Sequence, residues 1–444
     1  MGDLGAMGAL GAYECHECHE CQRTTQHPRT PAPVAPLALL ALLSLLAPEA
    51  PEAPVLLYSS AVKRLHVGVL YGGRSGEHEV SLASAAAVFA NLDRNRYDPV
   101  AIRIEKDGRW ALADRPPTAV SAAEVIEQSR LEAARPSREG REVHFMARPS
   151  ADTILSIDRR TSRADEGQAV VTGLNLDVIF PVLHGPYGED GTIQGLLELA
   201  NVPYVGAGVL ASAVGMDKGV MKVLFQAAGL PVCPYRVVLR HEWQREPGTI
   251  ATELEQLLRY PMFVKPANLG SSVGISKAKT RADLVDAMEL AGGFDRKIVI
   301  EAAVPEAREI ECAVLGNDVP EASVPGEVVP SREFYDYEAK YIDDASKIII
   351  PAELGPRTAA DIQRLSILAF QAIDCAGMAR VDFLLSPDTI FVNEVNTIPG
   401  FTTISMYSKL WAASGVEYPA LLDRLIALAI ERHAEKQQLR TSLT

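Results

Sequence analysis

Long hydrophobic runs are missing from this chain. The strongest candidate, residues 37–47 between Pro36 and Pro48, is eleven residues where a bilayer needs about twenty. Basic charge is also scarce, with 43 Lys and Arg against 57 Asp and Glu for a formal charge of −14, and the cations gather into no stripe. Nucleic acid is therefore a poor partner and small molecules a better one. Cysteine is sparse beyond the first 21 residues, where Cys233, Cys312 and Cys375 stand singly among apolar neighbours. That spacing fits buried, reduced thiols and excludes a disulfide framework or a local catalytic cysteine. No G-x-x-x-x-G-K-[ST] occurs, which disfavours a P-loop kinase, and no internal repeat is present. The Cys15, His16, Cys18, His19 and Cys21 cluster has no second cluster at zinc-finger spacing, so a structural zinc site is not expected there.

What is present is enough chain, 444 residues at 48% hydrophobic composition, for two or three domains with real cores. Strand-like and helix-like patterns alternate, which favours an α/β fold. The region from about 109 to 168 is rich in Ala, Arg, Glu, Ser and Pro with weak periodicity, and reads as a variable, partly helical, solvated insertion. The leucine run at 37–47, with Arg23 and Arg29 before it, is like a secretory h-region, although a disordered or non-native extension is the preferred reading of residues 1–61.

Chemistry concentrates near the C-terminus. Arg380-Val381-Asp382-Phe383 is followed by Phe391-Val392-Asn393-Glu394-Val395-Asn396 and the Pro399-Gly400 turn. Glu394 and Asn396 are two apart and so share a strand face, and Asp382 adds a third hard oxygen ligand among apolar neighbours. Magnesium takes one or two carboxylates plus substrate phosphates, so the set points to Mg²⁺ with a nucleotide polyphosphate. Asp382 alone could equally be a solvated strand-end carboxylate.

Upstream, Pro261 to Ile275 reads as an apolar strand ending in Lys265, a loop with Gly270, Ser271, Ser272 and Gly274, and a returning strand from Val273 to Lys277. Its tip can fold over an anion. Lys218 opens a helix with apolar positions Val220, Val223, Leu224 and Ala227, ended by Gly229 and Pro231. A cation in the first turn opposes the helix dipole, which an anionic partner would relieve, unless Lys218 is simply exposed.

In order, these segments resemble the D-alanine–D-alanine ligases of the ATP-grasp superfamily over roughly residues 64–433. The likeness is carried by Tyr71 to Ser81, Leu183 to Gly191, Met216-Asp217-Lys218, Lys265 to Gly274, Phe334 to Tyr341 and Arg380 to Gly400. It implies an ATP-dependent ligation of two D-alanines through an acyl phosphate, for peptidoglycan precursor synthesis. It also implies a Rossmann-like N-terminal domain (62–206), then two ATP-grasp domains (207–301 and 302–435), the last with a lid at 326–346.

By resemblance, Lys218, Lys265, Ser271, Ser272 and Lys340 bind nucleotide phosphates, and Asp382, Glu394 and Asn396 hold two Mg²⁺, with Mn²⁺ a possible substitute. Glu301, Ala302 and Val304 match the adenine segment, and Glu309 matches the ribose carboxylate, with Glu306 its competitor. Glu77 and His184 belong beside the first D-alanine. Arg380 and Gly400 N–H belong at the oxyanion, and Ser405 and Met406 at the second carboxylate. Tyr341, linked through Ser271 to Glu77, marks the dipeptide-forming type. The alternatives are a D-alanine–D-lactate or D-alanine–D-serine ligase and an inactive ATP-binding regulator. A cytoplasmic homodimer with no membrane or nucleic-acid partner is the remaining expectation.

Overall fold

The computed structural model describes residues 63–119, 121, 123–127, 141–150, 152–158, 170–330, 347–387, 389–440 and 442. The first sheet is built from β1 (Leu65–Gly72), which leads into α1 (His78–Asn91), then β2 (Tyr97–Ile104), β3 (Trp110–Leu112), β4 (Arg141–Phe145), β5 (Ile154–Asp158), β6 (Val170–Leu174) and β7 (Val178–Val182), in the order β6-β5-β4-β3-β2-β1-β7. β1 runs parallel to both β2 and β7, and residues 67–72 are buried without alternation. A strand covered on both faces has no polar side to show, so its sequence is a continuous apolar run.

The insertion expected to be partly helical at 109–168 has a helical stretch at 123–127, and it also carries strands that the sequence reading did not foresee. β3, β4 and β5 fall inside it and pair antiparallel, extending the sheet away from β2. Their short lengths of three to five residues, and Gly, Pro and charged residues around them, hid the period-two signal.

Next come α2 (Thr192–Ala200), α3 (Val209–Met216) and α4 (Lys218–Ala227). A second, four-stranded sheet follows, from β8 (Tyr235–Leu239), α5 (Arg240–Arg245), α6 (Pro247–Leu257), β9 (Met262–Pro266), β10 (Ser276–Ala278), α7 (Arg281–Phe294) and β11 (Lys297–Ala302), in the order β10-β9-β11-β8. The returning strand is thus 276–278 rather than 273–277, because residues 270–275 form the turn itself. Trp243, Leu254, Met262, Leu284, Met288 and Ile300 give this sheet its own core.

The third sheet contains β12 (Arg308–Gly316), β13 (Glu321–Ala322), β14 (Gly326–Val329), β15 (Lys347–Ile349), β16 (Gly377–Leu385) and β17 (Ile390–Asn396), with α8 (Pro356–Ala372) between β15 and β16, and α9 (Met406–Ala413) and α10 (Tyr418–Gln437) after β17. Its path is β15-β14-β12-β16-β17, with β13 paired to β12. The expected lid at 326–346 therefore begins too early: 326–329 is a paired strand, and residues 331–346 lie outside the described residues.

One core joins the first and third sheets. Val67, Val69 and Phe180 pack in the same cluster as Ala313, Leu315 and Met378, bridged by Phe401, Tyr407, Trp411 and the α10 residues Leu421 and Leu425. Each of these large side chains contributes about 1.5–3 kcal/mol of burial.

Among the described residues no helix is long and apolar enough to cross a membrane. The Cys15–Cys21 cluster and the leucine run lie outside the described residues. Because β1 finds its partners in β2 and β7, a chain beginning at Val62 is expected to melt within a few degrees of the full chain and to keep its activity. A larger drop in Tm, or a clear fall in rate, would show that residues 1–61 stabilise the rest.

Candidate active site

A cavity of about 360 Å³ lies where the ends of these elements meet. Its walls bring together Glu77 and His184 from the first sheet, Lys218, the 269–272 loop, Glu311, Arg380, Glu394, Asn396, the 397–400 turn, and Ser405 and Met406 at the start of α9.

One end is organised around Glu77. This residue precedes α1 and is buried, with its backbone N–H donating to Ser75 Oγ at 3.2 Å. The Ser271 hydroxyl donates to its carboxylate across 194 residues of sequence. Close approach of two loops makes this possible. A Cβ on Gly270 would come within 3.0 Å of Glu77 Oε2, and one on Gly185, whose φ of +73° already favours glycine, within 2.6 Å. Ser271 and Ser272 hold positive φ angles of 51° and 60°, a tight loop tip rather than a strand.

His184 is buried beside Glu77, between Ser84 Oγ at 3.1 Å from Nε2 and the Ile398 carbonyl at 3.2 Å from Nδ1. Burial by itself would push the imidazole down, but Glu189, 4.0 Å away, together with Glu77 and the Ile398 carbonyl, outweighs it and holds the ring above its ordinary pKa. Glu189 also accepts from the Gly185 N–H at 2.8 Å. The sequence reading missed Glu189, although it lies in the same glycine-rich segment as His184.

The other end is a row of carboxylates. Glu311 on β12, Asp382 on β16 and Glu394 on β17 stand opposite one another across three neighbouring strands. Cross-strand neighbours of like charge repel unless cations intervene. Arg380 supplies one, donating from Nε to Asp382 Oδ1 and from Nη2 to Oδ2, both at 2.7 Å, with Nε 3.0 Å from Glu311 Oε2. Lys218 supplies another, 3.5 Å from Glu394 Oε2. Asn396 donates to Asp382 Oδ2 at 3.0 Å, on the strand face that its spacing from Glu394 required.

Among the described residues no three His, Cys, Asp or Glu side chains are grouped closely enough to cage a metal. The oxygen donors of Asp382, Glu394 and Asn396 nevertheless suit Mg²⁺, which keeps water and phosphate in its shell and rarely uses an all-protein cage. Fit requires Asp382 to share with the ion the oxygens that Arg380 and Asn396 now occupy, Glu394 to share its carboxylate with Lys218, and Asn396 to turn its amide oxygen toward the ion.

The phosphate candidates Lys218 and Lys265 are engaged differently from the expectation. Lys218 Nζ donates to the Leu269 carbonyl at 2.8 Å. The dipole argument for an anion at Lys218 is corrected, because Asp217 already caps α4, accepting from Gly219 N and Val220 N at 3.1 Å. The apolar face proposed for α4 is corrected too: Val220 and Val223 are exposed, while Met221, Lys222 and Phe225 are buried. Lys222, fully buried, sits 3.0 Å from Glu301 Oε1, and Lys265 donates to Glu301 Oε2 at 2.7 Å. Burial raises the Glu301 pKa, yet the two ammonium groups overcome that and bring it down to about 2. Lys265 is held above its ordinary value despite burial, by Glu301 and then Glu394.

The structure does not bring Lys265, Glu301, Ala302, Val304 or Glu309 to the wall of this cavity. Glu301 and Ala302 end β11, and Glu309 lies in β12 beside Val328 and Leu384. Glu306 occupies a turn with φ of 49°. Gly400 and Ser405 are neighbours, since a Cβ on Gly400 would come within 2.8 Å of Ser405 Oγ. Lys340 and Tyr341 lie outside the described residues. The buried state of Cys233, Cys312 and Cys375 agrees with the sequence reading.

Two family profiles match the chain: D-ala D-ala ligase N-terminus over residues 66–207 and D-ala D-ala ligase C-terminus over residues 224–427. The D-alanine–D-alanine ligase of Chloroherpeton thalassium is 49% identical over 373 residues, 84% of this chain and 98% of that protein. That of Geobacillus kaustophilus is 48% identical over 374 residues, 84% and 96% of the two. Among solved structures, the D-alanine–D-alanine ligase from Coxiella burnetii superimposes with a TM-score of 0.70 at 38% identity, covering 84% of this chain and 96% of the other. The D-Ala:D-Ser ligase from Enterococcus faecalis follows at 0.69 and 34%, covering 83% and 100%.

Proposed function

The chain belongs to the D-alanine–D-alanine ligase family, and from that premise we propose how its own residues divide the work of joining two D-alanines. It is an ATP-dependent ligase with an ATP-grasp fold. The reaction makes an acyl phosphate from the first D-alanine, which the amine of the second attacks, releasing phosphate. The observation that carries the division of roles is the single cavity with Glu77 and His184 at one end and Glu311, Arg380, Glu394 and Lys218 at the other.

Glu77 holds the ammonium of the first D-alanine, since a buried carboxylate needs a cation or donors, and Ser271 fixes its rotamer. His184 stands beside the same substrate. Arg380 and the Gly400 N–H face the oxygen that becomes anionic when the amine adds, where preorganised donors commonly contribute about 3–4 kcal/mol. Ser405 and the Met406 N–H, at the start of α9, take the second carboxylate.

Asp382, Glu394 and Asn396 hold two Mg²⁺, or Mn²⁺ in their place, which neutralise charge on the phosphoryl oxygens when bound. Lys218, Lys265, Ser271, Ser272 and Lys340 bind phosphates, and Glu301, Ala302, Val304 and Glu309 bind the nucleoside. Residues 62–206, 207–301 and 302–435 act as three domains closing on the substrates, in a cytoplasmic homodimer that supports cell-wall synthesis and cell shape.

The test is direct: the purified full chain with ATP, Mg²⁺ and D-alanine should yield the dipeptide and D-alanine-dependent phosphate. ATP turnover with no dipeptide would remove the reading. Offering D-alanine together with D-lactate or D-serine separates it from the related ligases. Tyr341→Phe is expected to raise the depsipeptide-to-dipeptide ratio, because one lost hydrogen bond is worth about 1–3 kcal/mol in a closed site. An unchanged product ratio would remove Tyr341 as the selector.

A further inference from the structure

Arg380 is held by two carboxylates from two strands, and only one of them belongs to the proposed metal set. Its guanidinium grips Asp382 through two parallel hydrogen bonds of 2.7 Å, while Glu311 Oε2 lies 3.0 Å from the same Nε. Nε carries one hydrogen, and that hydrogen points at Asp382, so the Glu311 contact is charge against charge. Arg380, Asp382 and Glu311 are all more than four-fifths buried, which keeps these contacts strong.

The arrangement has a consequence for the reaction cycle. A dication on Asp382 competes with the guanidinium for the same two oxygens and repels its charge. When the ion arrives, the fork to Asp382 is weakened, and a second anchor limits how far the long Arg380 side chain can shift. Glu311 sits directly opposite Asp382 in the β12–β16 register, on a rigid central strand, at the point where Nε–H could turn to meet it.

We propose that Glu311 is a positioning residue for Arg380, the anchor that keeps the guanidinium aimed at the reacting centre once Asp382 is claimed by Mg²⁺. The proposal rests on the reading of Asp382 as a metal ligand. It assigns Glu311 no contact with metal or substrate.

The experiment compares the full chain with Glu311→Gln and Glu311→Asp. Calorimetry measures binding of MgADP and, separately, of a dipeptide phosphonate whose anionic tetrahedral centre stands where the oxyanion forms. Glu311→Gln should bind MgADP within about twofold of the parent, bind the phosphonate roughly tenfold or more weakly, and lose kcat by a similar factor with little change in the KM for ATP. Glu311→Asp, which keeps the charge, should recover part of both losses. If Glu311→Gln weakens MgADP tenfold, Glu311 is a metal or nucleotide ligand and the proposal falls. If phosphonate binding and kcat stay at parent values, Arg380 needs no second anchor and it falls as well. Asp382→Asn separates the premise: parent-like MgADP binding in that variant would overturn the metal reading itself, whereas the phosphonate result still reports on Glu311.

Discussion

Replacing Glu394 by Gln is expected to leave the protein folded and to lower kcat by roughly 10²–10³-fold. Glu394 stands opposite Asp382 and 3.5 Å from Lys218, and in the proposed site it is the second of two carboxylates facing a dication and a polyphosphate. The amide keeps the shape and one oxygen but gives up the charge that offsets the ion, and a donor set with one carboxylate fewer holds Mg²⁺ more weakly. Initial rates as a function of Mg²⁺ concentration check this, together with calorimetric binding of MgADP. A Gln variant with ordinary rates and ordinary Mg²⁺ dependence would take Glu394 out of the metal site.

The largest stability effect is expected at Glu301. Glu301→Gln leaves two ammonium groups, Lys222 with no exposure and Lys265 almost as buried, without their shared counterion. Breaking a buried pair from one side costs about 3–5 kcal/mol, because the remaining charges lose their nearest counterion where water does not replace it. Urea unfolding near neutral pH measures the loss. The effect also carries a pH signature. The folded carboxyl has its pKa near 2, below its ordinary value of 4.5, so the unfolded chain binds the proton more readily in that window. Glu301 therefore stabilises the fold fully above about pH 4.5, and that contribution is lost as pH falls toward 2. The stability gap between the parent and Glu301→Gln should close over the same interval. A loss below about 1 kcal/mol at neutral pH would mean that water reaches the two lysines and the carboxylate is dispensable.

The metal-ligand candidates were legible because strand geometry is local. A spacing of two puts Glu394 and Asn396 on one face wherever the strand lies, and the 3.0 Å contact from Asn396 to Asp382 follows from it. Glu311 had a similar signal, since Glu309 and Glu311 alternate within an apolar strand, but nothing in the local pattern says which strand will lie beside it. α4 was misread for a related reason. Val220 and Val223 are apolar and face solvent, whereas the charged Lys222 is interior, because Glu301 from β11 and the Asn393 carbonyl wait on that side. Periodicity assumes that charge prefers water, and a paired charge does not.

The sequence by itself determined the family, the alternation of strands and helices, the glycines at the close loops and the residue types around the site. Each of these rests on short-range rules of backbone geometry or on an ordered set of motifs. Tertiary structure alone decided that β3, β4 and β5 extend a sheet, that the first and third sheets share one core through Phe401, Tyr407 and Trp411, and that Ser271 reaches Glu77. It also decided that Arg380 stands between two carboxylates and that Lys222 and Lys265 divide one. The physical reason is common to all of them. Pairing and burial over tens to hundreds of residues of separation depend on which surfaces meet, and no local pattern along the chain encodes that meeting.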